Sequence, residues 1–195
     1  MGIEQLIPWV FTTGWASGVN AYATVLVLGL LGRFADVSQV PAGLTRTDVL
    51  VAAAVLFTLE FVADKIPYVD SLWDAVHTVI RPIVGAVIAA LLASNDPSLG
   101  QALAAATGGL VALASHLAKA GLRAAVNTSP EPASNVIVSS AEDISVAALV
   151  ALVTAHPWVS ATIALVLLML STVVVVKLWR RVLAFRTRWR GRWAQ

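Results

Sequence analysis

Ionisable side chains recur at helical spacing inside segments of the chain that are otherwise apolar. Glu60 and Asp64 are four residues apart, and Lys119 and Arg123 repeat this spacing, so each pair lies on one face of a helix. An ionisable group inside a bilayer costs roughly 2.5–3.5 kcal/mol on insertion scales, and such groups commonly mark ion pathways, proton relays or ligand sites. These four residues are therefore the first candidates for chemistry.

Further polar positions extend these pairs into longer stripes. Across a turn at residues 65–70, Asp70, Asp74, His77 and Arg81 recur at intervals of three or four residues and again share one face. A second stripe comprises His116, Lys119, Arg123 and Asn127, and a third comprises Asn135, Ser139 and Glu142 with Asp143 beside it. The predicted ligand or ion pathway comprises Asn20, Glu60, Asp64, His77, Arg81, His116, Lys119, Arg123, Asn127, Asn135, Glu142 and Asp143.

The residue types suggest a division of roles along this pathway. Lys119 and Arg123 are expected to bind an anion or to compensate charge, and His77 and His116 are expected to relay protons, because histidine titrates near neutrality. The proton- or cation-responsive carboxylates are expected to be Glu60, Asp64, Glu142 and Asp143. The competing interpretation is that these groups only neutralise one another. So many buried charges favour a wet, ligand-accessible cavity, since hydrophobic replacements are often as stable as buried pairs.

Turn positions predict which of these groups meet. If the segments on either side of Pro130 form an antiparallel hairpin, Lys119 and Glu142 lie equally far from its centre and become partners. About a turn at Tyr68, Glu60 and His77 lie at nearly the same depth.

Six apolar segments are long enough, or nearly so, to carry these residues across a membrane, for which about 20 apolar residues are needed. They cover residues 7–31, 48–63, 72–93, 99–126, 133–155 and 158–179. With 58% hydrophobic and only 12% charged residues, a soluble domain is excluded. The absence of cysteine removes disulfides and thiolate metal sites. The predicted fold is an all-α, polytopic transmembrane helical bundle of about six spans.

The first of these segments is unusual. The apolar stretch over residues 3–34 is too long for one straight crossing, and Gly14 and Gly18 interrupt it just before Asn20. Glycines four residues apart let two helices approach closely, so this face is expected to pack against a helix or against a second copy of the chain. The alternative is a broken helix that lines a site. A 3+3 inverted repeat is a further possibility, suggested by the likeness of residues 17–21 and 123–127.

The last nineteen residues carry seven of the 13 Lys and Arg. We interpret residues 1–176 as the transmembrane domain and residues 177–195 as a basic, Trp-containing cytoplasmic tail that contacts anionic lipid headgroups. Nucleic-acid binding is not expected. An even number of spans then places the N-terminus in the cytoplasm as well, and so short a chain is expected to form a homo-oligomer.

The function predicted from this pattern is a small transporter or channel-like protein whose polar, charged intramembrane cavity handles an ion or an anionic solute or lipid. One alternative is an enzyme in which Asp64, Asp70 and Asp74 hold magnesium and a lipid phosphate. The chain has no second aspartate-rich motif and no catalytic-triad, Walker or HExxH motif, so no cofactor is predicted outside this alternative. A second alternative is a non-catalytic scaffold that acts through the basic tail.

Several short strings in the chain are distinctive. They are residues 18–22 (GVNAY), 64–67 (DKIP), 70–74 (DSLWD) followed by His77, the Arg81–Pro82 pair, and residues 123–135 (RAAVNTSPEPASN). Together they resemble the bacterial membrane family catalogued as domain of unknown function 4126. The resemblance covers nearly the whole chain up to the basic tail. It implies a multi-pass protein of the bacterial inner membrane and supplies no activity.

Overall fold

The computed structural model describes residues 1–66, 69–126 and 132–192, and the side chains within them except at residues 125–126, 132–135 and 182–192. This part of the chain is all-helical and contains no strand. Its helices are α1 (Ile3–Val19), α2 (Ala21–Phe34), α3 (Thr47–Ala63), α4 (Val69–Leu92), α5 (Ser98–Val126), α6 (Pro132–Ala155) and α7 (Pro157–Arg192), with a short 3₁₀ helix (Ala42–Thr45) between α2 and α3.

Four of these helices are long and apolar enough to cross a membrane. The qualifying segments are Val69–Leu92, Ser98–Ala124, Val136–Ala155 and Pro157–Arg181, within α4 to α7. The chain is therefore a multi-pass membrane protein. Six complete spans are not confirmed, because α1, α2 and α3 have only 17, 14 and 17 residues, fewer than the about 20 that a bilayer requires.

The first predicted span is broken into two helices at one residue, Asn20. Its backbone is extended (φ −149°, ψ 103°), its N–H closes α1 on the carbonyl of Ala16 at 2.8 Å, and its side-chain oxygen accepts from the N–H of Ala23 at 2.9 Å. The side chain therefore caps α2 while the backbone ends α1. The helix thus breaks at the capping residue Asn20, just after Gly18. The glycine packing face and the broken helix, which were considered as alternatives, are both present.

The two halves of this segment form a hairpin. Met1 and Gln5, at the start of α1, line a cavity of about 300 Å³ together with Ser38 and Gln39, which follow α2. Both outer ends of the hairpin thus lie at the same end of the bundle, and Asn20, fully buried, is its inner tip. The prediction that residues 7–31 make one crossing is therefore wrong.

This hairpin changes where the chain termini lie. Trp9 of α1 belongs to an apolar cluster with Leu92 at the end of α4 and Val153 near the end of α6. At the opposite end of the bundle, α7 passes Gly121 of α5 at Val175 on its way to the basic tail. The N-terminus and the start of the tail therefore lie toward opposite ends of the bundle, and the prediction that both termini face the cytoplasm is not confirmed. The 3+3 inverted repeat is not confirmed.

Gly14 and Gly18 form a packing face within the chain. A Cβ on Gly14 would lie 2.9 Å from the carbonyl oxygen of Gly108, and one on Gly18 would overlap Ser115 Oγ and the carbonyl of Ala112. The small residues let the backbones of α1 and α5 touch. Because this face is covered by α5, it is not the oligomer contact that its spacing suggested.

The interior is divided along the bundle axis. An apolar cluster fills the part near the N-terminus and includes Leu6, Trp9, Val10, Ile88, Leu92, Leu149 and Val153. The part nearer the tail holds the buried ionisable side chains. The apolar half supplies burial and packing, so the charged half is where the chemistry must be sought.

Candidate functional site

Eleven ionisable side chains converge where α3 to α6 surround the hairpin tip, and we refer to them as the charge cluster. They are Glu60, Asp64, Asp70, Asp74, His77, Arg81, His116, Lys119, Arg123, Glu142 and Asp143. Nine are buried, and Glu142 and Asp143 are half-buried. Helical spacing within each helix supplies the stripes, and close packing against α1 brings the stripes together.

Arg81 is the most enclosed of the three cations in the cluster. Its Nη2 donates to Glu60 Oε1 at 2.6 Å, and its Nη1 lies 3.2 Å from Asp74 Oδ1. Nη1 also donates to the carbonyl of Gly18 at 3.3 Å, at the last turn of α1. The guanidinium thereby joins α3 and α4 to the hairpin tip, with no exposed surface on its side chain.

Lys119 makes a similar junction, closer to the end of the bundle that carries the tail. Its Nζ donates to Asp64 Oδ2 at 2.7 Å and to the carbonyl of Val19 at 3.0 Å. Glu142 and Glu60 lie at 3.6 and 3.9 Å from the same nitrogen. The carbonyls at the C-terminal end of α1 attract cations, which explains why Arg81 and Lys119 both point toward the break at Asn20.

Arg123 contacts carboxylates of α4, of α6 and of the residue that follows α3. Its Nη2 lies 2.6 Å from Glu142 Oε2 and 3.3 Å from Asp64 Oδ2, and its Nη1 donates to the carbonyl of Asp64 at 2.8 Å. Asp70 lies 3.9 Å from Nη1. Asp64 therefore receives both Lys119 and Arg123, and the cluster is continuous from Glu60 to Glu142.

The two histidines hold defined tautomers. Arg81 Nη1 donates to His116 Nδ1 at 2.7 Å, so His116 Nδ1 accepts and its Nε2 carries the proton, which it donates to Thr78 at 3.0 Å. His77 Nδ1 lies 2.7 Å from the carbonyl of Trp73 and must donate, which leaves Nε2 to accept from the Tyr22 hydroxyl at 3.1 Å. These tautomers are assigned from the partners, and both rings are neutral in this arrangement.

Asp143 differs from the other carboxylates in the cluster. Its Oδ1 accepts from Asn20 Nδ2 at 2.9 Å, while its Oδ2 is buried and has no hydrogen-bond partner among the described residues. Within the described part of the chain it has no basic group within 4.0 Å, whereas Glu60, Asp64 and Glu142 each have one. The Asn20 side chain thus donates to Asp143 through its amide nitrogen and caps α2 through its amide oxygen.

Lys65 supplies a cation at the rim of the cluster, in the turn that follows α3. Its Nζ donates to Ser139 Oγ at 3.1 Å and lies 3.0 Å from the centre of the Phe61 ring. Partial burial lowers the pKa of Lys65. The contact with Ser139 ties the turn to α6.

Acids outnumber bases in this cluster. The six carboxyl groups of Glu60, Asp64, Asp70, Asp74, Glu142 and Asp143 face Arg81, Lys119 and Arg123, with Lys65 as a fourth cation at the rim. Counting only these described residues, full ionisation would leave an excess of two negative charges, six less four. Among the described residues, Glu60 Oε2, Asp64 Oδ1 and Asp143 Oδ2 are buried without a hydrogen-bond partner, whereas Asp74 Oδ1 lies 3.2 Å from the Arg81 guanidinium. Such groups require a proton, water or a cation.

A family described as "Domain of unknown function (DUF4126)" matches residues 7–177. The chain belongs to this family. The match confirms the resemblance carried by the GVNAY, DKIP and RAAVNTSPEPASN strings, and it includes the whole charge cluster. No curated protein and no solved structure matches the chain.

The structure of this DUF4126 chain confirms one predicted pairing and corrects another. Lys119 and Glu142 meet as expected. Glu60 and His77 do not pair, because Glu60 is bound by Arg81 and His77 is held between Tyr22 and the Trp73 carbonyl. Two residues equally far from a turn lie at the same depth in the bundle, but the rotation of each helix about its own axis decides which side chains meet.

Two predicted pathway residues fall outside the described part of the chain. Asn127 lies outside the described residues, and the side chain of Asn135 is not described. The contact of the basic tail with anionic lipid also concerns side chains outside that part, and it stays a prediction, as does self-association.

The magnesium alternative finds no support in the donor geometry. In the described part of the chain no group of three His, Asp or Glu side chains is placed to hold a metal ion. Asp64 is bound by Lys119 and Arg123, and Asp74 lies beside Arg81. The basic side chains of Lys119, Arg123 and Arg81 already pair with these aspartates, so the residues do not fit a magnesium ion.

Some members of the site were missed in the sequence. Tyr22 and Thr78 bind the two histidines, and the carbonyls of Gly18 and Val19 bind Arg81 and Lys119. Thr78 had a signal, since it lies four residues after Asp74 and beside His77. The carbonyls of Gly18 and Val19 had no signal in the sequence, because a helix carbonyl becomes available to a side chain only where the helix ends.

Proposed function

We propose that this protein is a small proton-coupled transporter of cations and that the charge cluster is its proton and ion pathway. The observation that carries the proposal is the excess of buried acids around the tip of a broken-helix hairpin. Discontinuous helices inside the bilayer commonly form the binding sites of transporters, and intramembrane carboxyl groups are typical of proton relays.

A purely structural role accounts poorly for this excess. Charges that only lock helices together need equal numbers of both signs, and surplus buried carboxylates raise the free energy of the fold. A protein that takes up a proton or a cation at the site needs such a surplus. An anionic ligand would have to displace carboxylates from Arg81, Lys119 and Arg123, each of which has one at 2.7 Å or less.

Asp143 is the proton-binding group in this proposal. Its carboxylate has no ion pair in the described part of the chain and is held by the Asn20 amide. Protonation would neutralise it and weaken that hydrogen bond, since charged acceptors form the stronger bonds. Because Asn20 also ends α1 and caps α2, loss of the bond would free the hairpin tip from α6 and couple protonation to movement.

Replacing Asp143 with Asn is expected to abolish proton coupling. The protein would be placed in liposomes with an acidic interior that contain a pH-sensitive dye, and sodium, potassium and organic ammonium salts would be added outside. Wild-type protein should make the interior more alkaline when a transported cation enters, and Asp143→Asn should slow this by at least about tenfold, which corresponds to 1.4 kcal/mol.

The matched control is Asp48→Asn, an exposed aspartate at the start of α3 that pairs with Arg46 outside the cluster. It should leave the exchange rate unchanged. Exchange at the wild-type rate in a well-folded Asp143→Asn variant would refute the assigned role. No proton movement by the wild-type protein with any of these cations would refute the transporter.

We further propose that the protein resides in the bacterial cytoplasmic membrane with the basic tail inside and the N-terminus outside. The excess of Lys and Arg in the tail favours this orientation. Because the chain lacks cysteine, Ser38→Cys and Arg180→Cys variants report the two ends separately. An impermeant maleimide applied to intact cells should label Ser38→Cys alone, and equal labelling of both variants would contradict opposite ends.

A further inference from the structure

A mostly apolar cavity lies beside the charge cluster. It has a volume of about 330 Å³ and is lined by α1, α5, α6 and α7. Its apolar walls include Trp15, Val19, Ile137, Ala141 and Leu167. The side chain of Ile137 is also largely exposed on the surface of α6, so the cavity reaches the lipid-facing surface. A ligand that enters it therefore comes from the hydrocarbon region and must be lipophilic.

The wall of this cavity nearest the charge cluster carries Lys119 and Glu142. The two side chains are not equally available, because 14% of Glu142 is exposed and only 2% of Lys119. Lys119 is turned toward Asp64 at 2.7 Å. Glu142 Oε2 receives Arg123 at 2.6 Å, whereas the contact of Oε1 with Arg123 Nε, the only one it has among the described residues, is longer at 3.4 Å. The group that the cavity meets is thus a carboxylate oxygen.

Further carboxylates lie behind this wall. Among the described residues, Asp64, which lies next to Lys119, retains a buried carboxylate oxygen without a hydrogen-bond partner, and the cluster has more acids than bases. In a water-poor environment such charges act over longer distances than in water. The cavity therefore favours a positive ligand, and its apolar walls favour one without a tight hydration shell.

We infer that this cavity is the substrate site and that it binds a lipophilic monovalent cation, with its apolar groups against α6 and α7 and its charge facing Glu142. The inference rests on the proposed function, since it names the class of cation that the transporter exchanges for protons. Trp15 adds an aromatic face, which attracts cations through its negative ring surface.

Two probes of the same shape and opposite charge test the inference. Tetraphenylphosphonium and tetraphenylborate would be titrated separately into the purified full-length protein in detergent, with binding measured by equilibrium dialysis against protein-free micelles. Tetraphenylphosphonium should bind saturably and tetraphenylborate should not. Equal binding of both probes, or preferred binding of the anion, would overturn the inference.

Two substitutions assign the binding to this cavity. Ala141→Phe should fill it and Glu142→Gln should remove its charge, and each should weaken tetraphenylphosphonium binding by at least about tenfold. Ala106→Phe, an exposed position of α5 that does not line this cavity, should bind like the wild type. Wild-type affinity in a folded Ala141→Phe variant would overturn the inference even if Glu142→Gln fails to fold.

The outcome separates this inference from the proposed function. If tetraphenylphosphonium binds as expected and the reconstituted protein exchanges no protons for it, the transporter is refuted and the cation site stands. If the protein exchanges protons for inorganic cations and tetraphenylphosphonium does not bind, the cation site is refuted and the transporter stands.

Discussion

Replacing Arg81 with Ala is expected to destabilise the fold by about 3–5 kcal/mol, the range found when one partner of a buried ion pair is removed. The guanidinium is fully buried and binds Glu60 Oε1 at 2.6 Å, His116 Nδ1 at 2.7 Å and the carbonyl of Gly18 at 3.3 Å. Without it, Glu60 keeps, among the described cations, only the distant Lys119 amine at 3.9 Å. A buried carboxylate would be left without a counter-ion, and the hairpin tip without its link to α4.

The measurement is thermal unfolding in mild detergent, where such a loss should lower Tm by roughly 10 °C. Arg46→Ala is the control, because Arg46 pairs with Asp48 at 2.7 Å but is exposed, and exposed pairs contribute little. An Arg81→Met, Glu60→Gln double variant should recover part of the loss, since it removes the uncompensated carboxylate as well. A single variant as stable as the Arg46→Ala control would contradict this account of the cluster.

Gly18→Leu is expected to separate α1 from α5 and to destabilise the protein by at least about 3 kcal/mol, the upper part of the range for overpacking. Even a Cβ at this position would overlap Ser115 Oγ and the carbonyl of Ala112. A backbone carbonyl cannot turn away as a flexible side chain can, so the helices would have to move apart. The movement would also displace the Gly18 and Val19 carbonyls that bind Arg81 and Lys119.

Gly43→Ala is the matched control, because a Cβ at Gly43 would have no neighbour within 4 Å. Thermal unfolding in detergent should show wild-type behaviour for Gly43→Ala and early loss of the folded protein for Gly18→Leu. A Gly18→Leu variant with wild-type Tm would mean that α1 and α5 are not in backbone contact. The same pair of variants also separates close packing from oligomer formation, because the Gly18 face is buried within the chain.

These two predictions share one structural cause. The charge cluster depends on a short helix that enters the bundle, ends at Asn20 and turns back. Arg81 and Lys119 hold the end of α1, while Asn20 joins the start of α2 to Asp143. A change in the charge of the cluster would therefore act directly on the position of the hairpin tip.

Much of the candidate site could be predicted from local periodicity. Residues three or four apart on a helix share a face, so Lys119 and Arg123 had to line up whatever the rest of the fold. The cost of burying charge marked the same residues as candidates for function. The pairing of Lys119 with Glu142 followed from the position of one turn.

Other features could not be obtained in this way. Arg81 was predicted as part of the pathway but without a partner, and its ion pair with Glu60 depends on how α3 and α4 are rotated about their axes. Hydropathy counted residues 7–31 as one span, because apolar composition does not show the direction of the chain after a break. The hairpin follows from a single extended residue, and its consequence is that the termini lie at opposite ends of the bundle.

The sequence by itself determined the helical membrane character, the stripes of ionisable residues and the membership in this family, since these depend on composition and on contacts within a few residues. Tertiary structure alone decided that Gly18 packs against α5, that the acids of three helices share only a few cations, and that Asp143, among the described residues, has Asn20 in place of an ion pair. The physical reason is that helix rotation and helix breaks are selected by packing between distant segments, which periodicity along one helix does not record.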